Sequence, residues 1–135
     1  MVGSVMAPIT ATFTAIFAAM LTALAINTTR QRLRYGRDRT QAATEAIRRA
    51  SRAHGNTLEH ALPLLLVLFF AETHGAAREW LCGLGGAFVL ARASYVYGML
   101  TRPTSPPMRL GAGATYSIEV AAIGVLVRAL VVGGG

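Results

Sequence analysis

No charged side chain occurs between Met1 and Thr29. The apolar part of that stretch, about residues 8–27, is long enough to cross a bilayer, which takes around 20 helical residues. Three further apolar stretches of near-spanning length follow, at about 55–71, 77–100 and 110–132. None alternates apolar and polar residues in the manner of a strand. The expected fold is therefore all-α, a four-helix transmembrane bundle in a single domain covering residues 1–135. The first stretch reads as a retained helix and not a signal peptide. It lacks a basic leading segment, and its apolar run exceeds the roughly 7–15 residues usual there.

Composition agrees. Of the 135 residues, 53% are hydrophobic and only 14% are charged, where a soluble domain carries about a quarter charged. The net charge of +7 is carried by arginine alone. A high basic charge is the usual footprint of a nucleic-acid binder, but its distribution here excludes that reading. Eight of the thirteen arginines lie between Arg30 and Arg52, in a segment flanked by apolar runs. A basic loop between spans is the positive-inside pattern. Loops one and three, the latter with Arg102 and Arg109, are expected on the cytoplasmic side, with both termini outside.

The loops differ in kind. The first, about 30–52, is long and basic, with a helical extension around 44–51. The second, Glu72-Thr73-His74-Gly75, is short. The third holds Pro103, Pro106 and Pro107, which are expected to break any helix there. The closing Gly133-Gly134-Gly135 reads as a frayed tail. Cys82 is the sole cysteine, so no internal disulfide can form. Its apolar surroundings mark it as a small packing residue, since reactive thiols sit in electropositive, accessible settings.

Glu59, Arg92 and Glu119 fall inside the expected spans. An ionised group at the centre of a bilayer helix costs about 2.5–3.5 kcal/mol or more, and such groups face the bundle interior and pair. Arg92 lies ten residues before Arg102 and Glu119 ten after Arg109. Both are then about 15 Å from the cytoplasmic side. Arg92 is long enough to reach either carboxylate. Arg92 and Glu119 are accordingly read as structural intramembrane charges.

The segment RAHGNTLEH opens the second apolar stretch. On a helix, Arg52, Asn56, Glu59 and Pro63 share a stripe about 60° wide. His60 sits on its flank and His54 on the far side. The two histidines do not converge, so no metal site is expected. Guanidinium and amide groups hold carboxylates and amides, and a glutamate receives an ammonium. The stripe therefore suits a zwitterionic, peptide-like ligand, or equally a network between helices. On the third stretch Arg92, Tyr95 and Met99 share a face, and Tyr97 points elsewhere, where it serves an aromatic belt. Arg109 and Tyr116 share a face on the fourth.

With these residues placed, the chain resembles the MAPEG family, membrane-associated proteins in eicosanoid and glutathione metabolism, in one of its bacterial branches. The resemblance rests on TTRQRLRYGRD, RAHGNTLEHALPLLL, LARASYVYG and PPMRLGAG. It implies a left-handed bundle assembled as a homotrimer in a bacterial inner membrane, with sites between neighbouring subunits. It implies glutathione as co-substrate, no metal, and a lipophilic electrophile arriving from the bilayer, in a transferase or peroxidase reaction. Arg52, Asn56 and Glu59 would hold glutathione and Tyr95 would touch it. Arg109 matches the arginine that stabilises the glutathione thiolate, and Arg30 or Arg34 corresponds to a further carboxylate-binding arginine. The sequence departs from its relatives at His60 and Met99, which stand where relatives have tyrosine, and in a Glu59–Pro63 spacing longer by one. Two other functions fit the residues alone: a small transporter, or a non-catalytic protein that uses its polar stripe for assembly.

Overall fold

The computed structural model describes residues 6–133; Met1 to Val5 and the last two glycines of the tail lie outside the described residues. The chain forms four α-helices: α1 (Pro8–Tyr35), α2 (Gln41–Thr73), α3 (Arg78–Thr101) and α4 (Pro106–Gly133). No strand occurs among the described residues.

Helix α1 starts with proline at its first turn, where a missing N–H costs nothing. Its last turn carries Arg32 and Arg34, cations at the negative end of the helix dipole. The basic segment is mostly helix and not loop: only residues 36–40 separate α1 from α2. The reason is local. The Thr40 hydroxyl accepts the Ala43 N–H at 3.3 Å and caps α2. Glu45 then pairs with Arg48 and Arg49, each at 2.8 Å, at the three- and four-residue spacing that supports a helix. The intervening alanines are the best helix formers.

The third loop is likewise shorter than expected. Pro106 and Pro107 begin α4 and do not interrupt it, because the first turn of a helix needs no N–H donor there. Pro63 lies inside α2. It has no N–H for the Glu59 carbonyl, so the ladder is loosened at that carboxylate's own turn.

The backbones of α1 and α4 do not come close; the two helices stand diagonally, with α2 and α3 between them. One core cluster joins Phe17, Leu64, Leu68, Leu81 and Phe88, with Phe17 and Phe88 edge to face at 5.2 Å. Helices α3 and α4 meet backbone to backbone. A Cβ on Gly111 would fall 2.5 Å from the Tyr95 nitrogen and 2.6 Å from the Ala91 carbonyl oxygen. At the opposite end the Glu72 carboxylate accepts the Ile9 and Thr10 N–H groups at 2.9 and 2.8 Å. One residue of α2 thereby caps the N-terminus of α1. Burial pushes the Glu72 carboxyl up, but these backbone hydrogen bonds outweigh it and hold the group below the usual carboxylate range.

The outside of the bundle is apolar. Helices α1 and α4 are each long and apolar enough to cross a membrane, yet only 17% and 11% of their most hydrophobic windows are buried. A core helix of a soluble protein would be mostly buried. Leu62, Leu66 and Phe70 on α2, Leu90 on α3, and Val120 and Val131 on α4 are exposed. Such a surface calls for lipid or for another subunit. Cys82 lies on this exterior, which corrects its reading as a packing residue. Leu81 and Leu84 take the core-facing positions beside it.

Candidate functional site

Among the described residues the bundle holds one fully buried charge. Arg92 has no exposed surface, and neither carboxylate comes to it. Its Nη2 donates to Asn56 Oδ1 at 2.8 Å and to Thr57 Oγ1 at 3.3 Å, both on α2. Its Nη1 donates to Thr115 Oγ1 on α4 at 3.2 Å. Thr115 is free to accept because its own hydroxyl proton goes to the Gly111 carbonyl, at 2.8 Å. The Tyr95 ring lies beneath the guanidinium, with its centroid 4.3 Å from Cζ. Burying an ion costs several kcal/mol even after relaxation. Bonds to a charged donor return about 1.5–3 kcal/mol each, and a desolvated cation–π contact about 2 kcal/mol. Arg92 is thus compensated at Nη1 and Nη2 by neutral groups, while its buried Nε has no hydrogen-bond partner among the described residues, and it ties α2, α3 and α4 into one layer.

Glu119, one of the two carboxylates expected within reach of Arg92, takes a different partner. Its Oε1 lies 2.8 Å from His60 Nδ1, and the His60 ring stands edge to face with Tyr116 at 5.3 Å. His60 and Glu119 each follow a member of the Arg92 layer by four residues, Asn56 on α2 and Thr115 on α4. They form a second polar layer about one helical turn away. The sequence reading gave His60 a minor role and missed Thr57 and Thr115. Hydroxyls in an apolar run leave little trace in hydropathy, and a histidine on the flank of a stripe has no distinguishing period.

The stripe itself opens outward. Arg52, Asn56 and Glu59, with Arg48, Ser51 and Gly55, line an open groove of about 350 Å³. Arg52 and Glu59 are exposed and Asn56 is half-buried. Arginine has no acceptor, so the amide oxygen of Asn56 must be the atom that faces Arg92. Asn56 therefore offers the groove its Nδ2–H donors. The groove combines a guanidinium, amide donors and a carboxylate along one helix. Just beyond it, two arginines, one of which also lines the groove, draw the Glu45 carboxyl down to about 2, with the Arg48 hydrogen bonds leading. Arg49 also donates to the Thr101 carbonyl at 3.3 Å, which fastens this part of α2 to the end of α3.

The remaining sequence candidates stand apart in a single chain. Tyr95 is buried and meets the groove only through Arg92 and Asn56. Arg109 is exposed on the first turn of α4, and Arg30 and Arg34 are exposed on the last turns of α1. None of these three lines the Arg52 groove. Among the described residues no cluster of three or more His, Cys, Asp or Glu side chains is arranged to hold a metal ion.

The model of the MAPEG family matches residues 10–130, nearly the whole bundle. The chain belongs to the MAPEG family. It is a membrane protein of that family, and its four helices are a transmembrane bundle. No curated protein and no solved structure matches the chain. In this MAPEG bundle the layers therefore rest on its own geometry: Arg92 with Asn56, Thr57 and Thr115, then His60 with Glu119, and the groove on the exposed side of α2.

Proposed function

We propose that this MAPEG protein is a glutathione-dependent transferase or peroxidase acting on lipophilic electrophiles in a bacterial inner membrane. The observation that carries the reading is the single groove shared by Arg52, Asn56 and Glu59. Glutathione presents carboxylates, an ammonium and amides. Arg52 and the Asn56 amide suit its carboxylate and carbonyl oxygens, and Glu59 suits its ammonium. In this reading Arg109 stabilises the thiolate, and Arg30 or Arg34 adds a further carboxylate contact. None of these three lines the groove in one chain, and the reading takes the site as shared between subunits of a homotrimer. The arginine-rich loop and the third loop face the cytoplasm, and both termini face out.

The chemistry needs no cysteine of the protein's own. A guanidinium near the glutathione sulfur lowers its pKa and raises the thiolate fraction. In transfer, the sulfur lone pair forms a C–S bond to the electrophilic carbon, and the leaving group departs with its bonding pair. In peroxide reduction, sulfur takes one oxygen and the O–O bond breaks. The alkoxide leaves and is protonated, and a second glutathione then yields the disulfide and water.

Glutathione added to the detergent-solubilised protein is expected to produce a thiolate ultraviolet band and a calorimetric binding signal. Arg109→Ala should lose the band while retaining binding. Absence of both signals in the wild-type protein would sink the proposal.

One observation favours a second reading, in which the polar residues only hold the helices together. Arg92 spends its bonds on Asn56, Thr57 and Thr115, groups of its own chain. If Arg92→Leu disrupts the bundle, and any oligomer with it, while the wild-type protein never binds glutathione, this second reading stands.

A further inference from the structure

A second groove lies between α3 and α4, at the end of the bundle opposite the Arg52 groove. It has a volume of about 620 Å³, and its walls include Trp80, Ala121, Val125 and Val132. Two cation-forming side chains also line it, Arg128 and His74, and no carboxylate does. Arg128 is the only charged residue from Val120 to Gly133. It is exposed and has no carboxylate within ion-pair distance among the described residues. The His74 ring is held at the rim by its Nδ1, 2.7 Å from the Phe70 carbonyl oxygen.

The levels of these groups define an amphiphile. Trp80 is the third residue of α3, and Arg128 lies five residues before the end of α4, so both sit at the membrane–water boundary. Ala121 is seven residues, about 10 Å, deeper along α4. A groove that is cationic at headgroup level and apolar below it complements an anionic head carrying an acyl chain. An arginine near a helix end can instead simply extend to the water. That role requires no apolar groove beneath the guanidinium, and here one is present.

We infer that the α3–α4 groove is a binding site for an anionic phospholipid, with its phosphate on Arg128 and an acyl chain against Trp80 and Val125. This site is independent of the glutathione groove, and a phospholipid there would brace the α3–α4 pair from the outside.

Trp80 is the only tryptophan in the chain, so its fluorescence reports this groove alone. The full-length protein is reconstituted in bilayers containing acyl-brominated phosphatidylglycerol or, in parallel, acyl-brominated phosphatidylcholine at the same fraction. The anionic lipid is expected to quench Trp80 with an apparent affinity about fivefold higher, the preference expected of one arginine for anionic lipid. Arg128→Gln should abolish the preference and Arg128→Lys should keep it, which separates charge from folding. Arg102→Gln, at the far end of the bundle, should leave it unchanged. Equal quenching by the two lipids, or a preference that survives Arg128→Gln, overturns the inference. So does a Trp80 that neither lipid reaches, because a second copy of the chain then covers the groove.

Discussion

Arg92 Nη2 donates to Asn56 Oδ1 at 2.8 Å, and this one bond sets what Asn56 can give to a ligand. The buried guanidinium holds the amide oxygen on its own side, so Asn56 turns its N–H donors to the groove. Arg92 thus acts on the groove through Asn56, although it does not line the groove.

The two roles of Asn56 can be separated by substitution. In Asn56→Asp a carboxylate oxygen still accepts from Arg92, now as an ion pair, so thermal stability in detergent should hold or rise. The second oxygen then faces the groove as an acceptor and repels a carboxylate ligand. Glutathione affinity should fall about tenfold or more, as for loss of a hydrogen bond to a charged group. Asn56→Leu instead strands a buried charge and should destabilise the fold by about 1–3 kcal/mol. Paired melting and calorimetry on both variants check this. Retained glutathione affinity in Asn56→Asp would show that the amide donors are not used.

The His60–Glu119 pair should behave as a coupled unit. Both side chains are mostly buried, at 16% and 22% exposure. Hydrogen bonds between membrane helices average about 0.6 kcal/mol and reach about 1.7. A double-mutant cycle of His60→Ala and Glu119→Ala should give a coupling energy in that range. His60→Tyr restores a donor at the position where relatives carry tyrosine, and should lose less stability than His60→Ala. Strictly additive losses would mean that the contact contributes nothing.

Glu72 gives a pH signature. Its carboxylate accepts two N–H groups at the start of α1, and its folded-state pKa lies below the ordinary 4.5. A depressed folded pKa means stability that is fully present above the unfolded value and lost as pH falls through the folded one. The melting temperature should therefore be level from pH 7 to about 5 and decline below the ordinary carboxylate pKa. Glu72→Gln should be less stable at pH 7 by about 1 kcal/mol, the usual worth of a helix N-cap. The gap between the two proteins should close as pH falls, and a gap independent of pH would exclude the carboxylate as the cause.

The sequence carried the helices and their polar faces but not the rotations between them. Uncharged apolar runs require spanning helices, and 100° per residue puts Arg52, Asn56 and Glu59 on one stripe whatever surrounds it. Depth counting put Arg92 within reach of either carboxylate, but Glu119 lies about one helical turn from the Arg92 layer and pairs with His60 instead. Pairing depends on which side of α3 faces which side of α4. Gly111 fixes that rotation by admitting the backbone of Tyr95, and it delivers Thr115, not Glu119, to Arg92. The helical start of α2 was legible as the extension expected around 44–51, where Glu45, Arg48 and Arg49 have helical spacing, whereas the continuation of α1 to Tyr35 through its arginines was not. In the proposed trimer Arg109, Arg30 and Arg34 would join the groove through contacts between chains, which no intrachain period encodes.

The same glycine offers the sharpest test of this geometry. A side chain at Gly111 meets Tyr95 N and Ala91 O, both backbone atoms, at 2.5 and 2.6 Å. Neither can yield by a rotamer change, so α3 and α4 must separate. Gly111→Val should cost about 1–3 kcal/mol from overpacking. It should also withdraw Thr115 from Arg92 and loosen the Asn56 contact, lowering glutathione affinity without touching the groove. Gly113, two residues on, has open space where its Cβ would lie. Gly113→Ala should be neutral or stabilise the helix by up to about 1 kcal/mol, the propensity difference between the two residues. Melting curves of the two variants, with calorimetry on each, compare close helix contact with helix propensity directly. Equal melting temperatures would mean that α3 and α4 do not approach at Gly111.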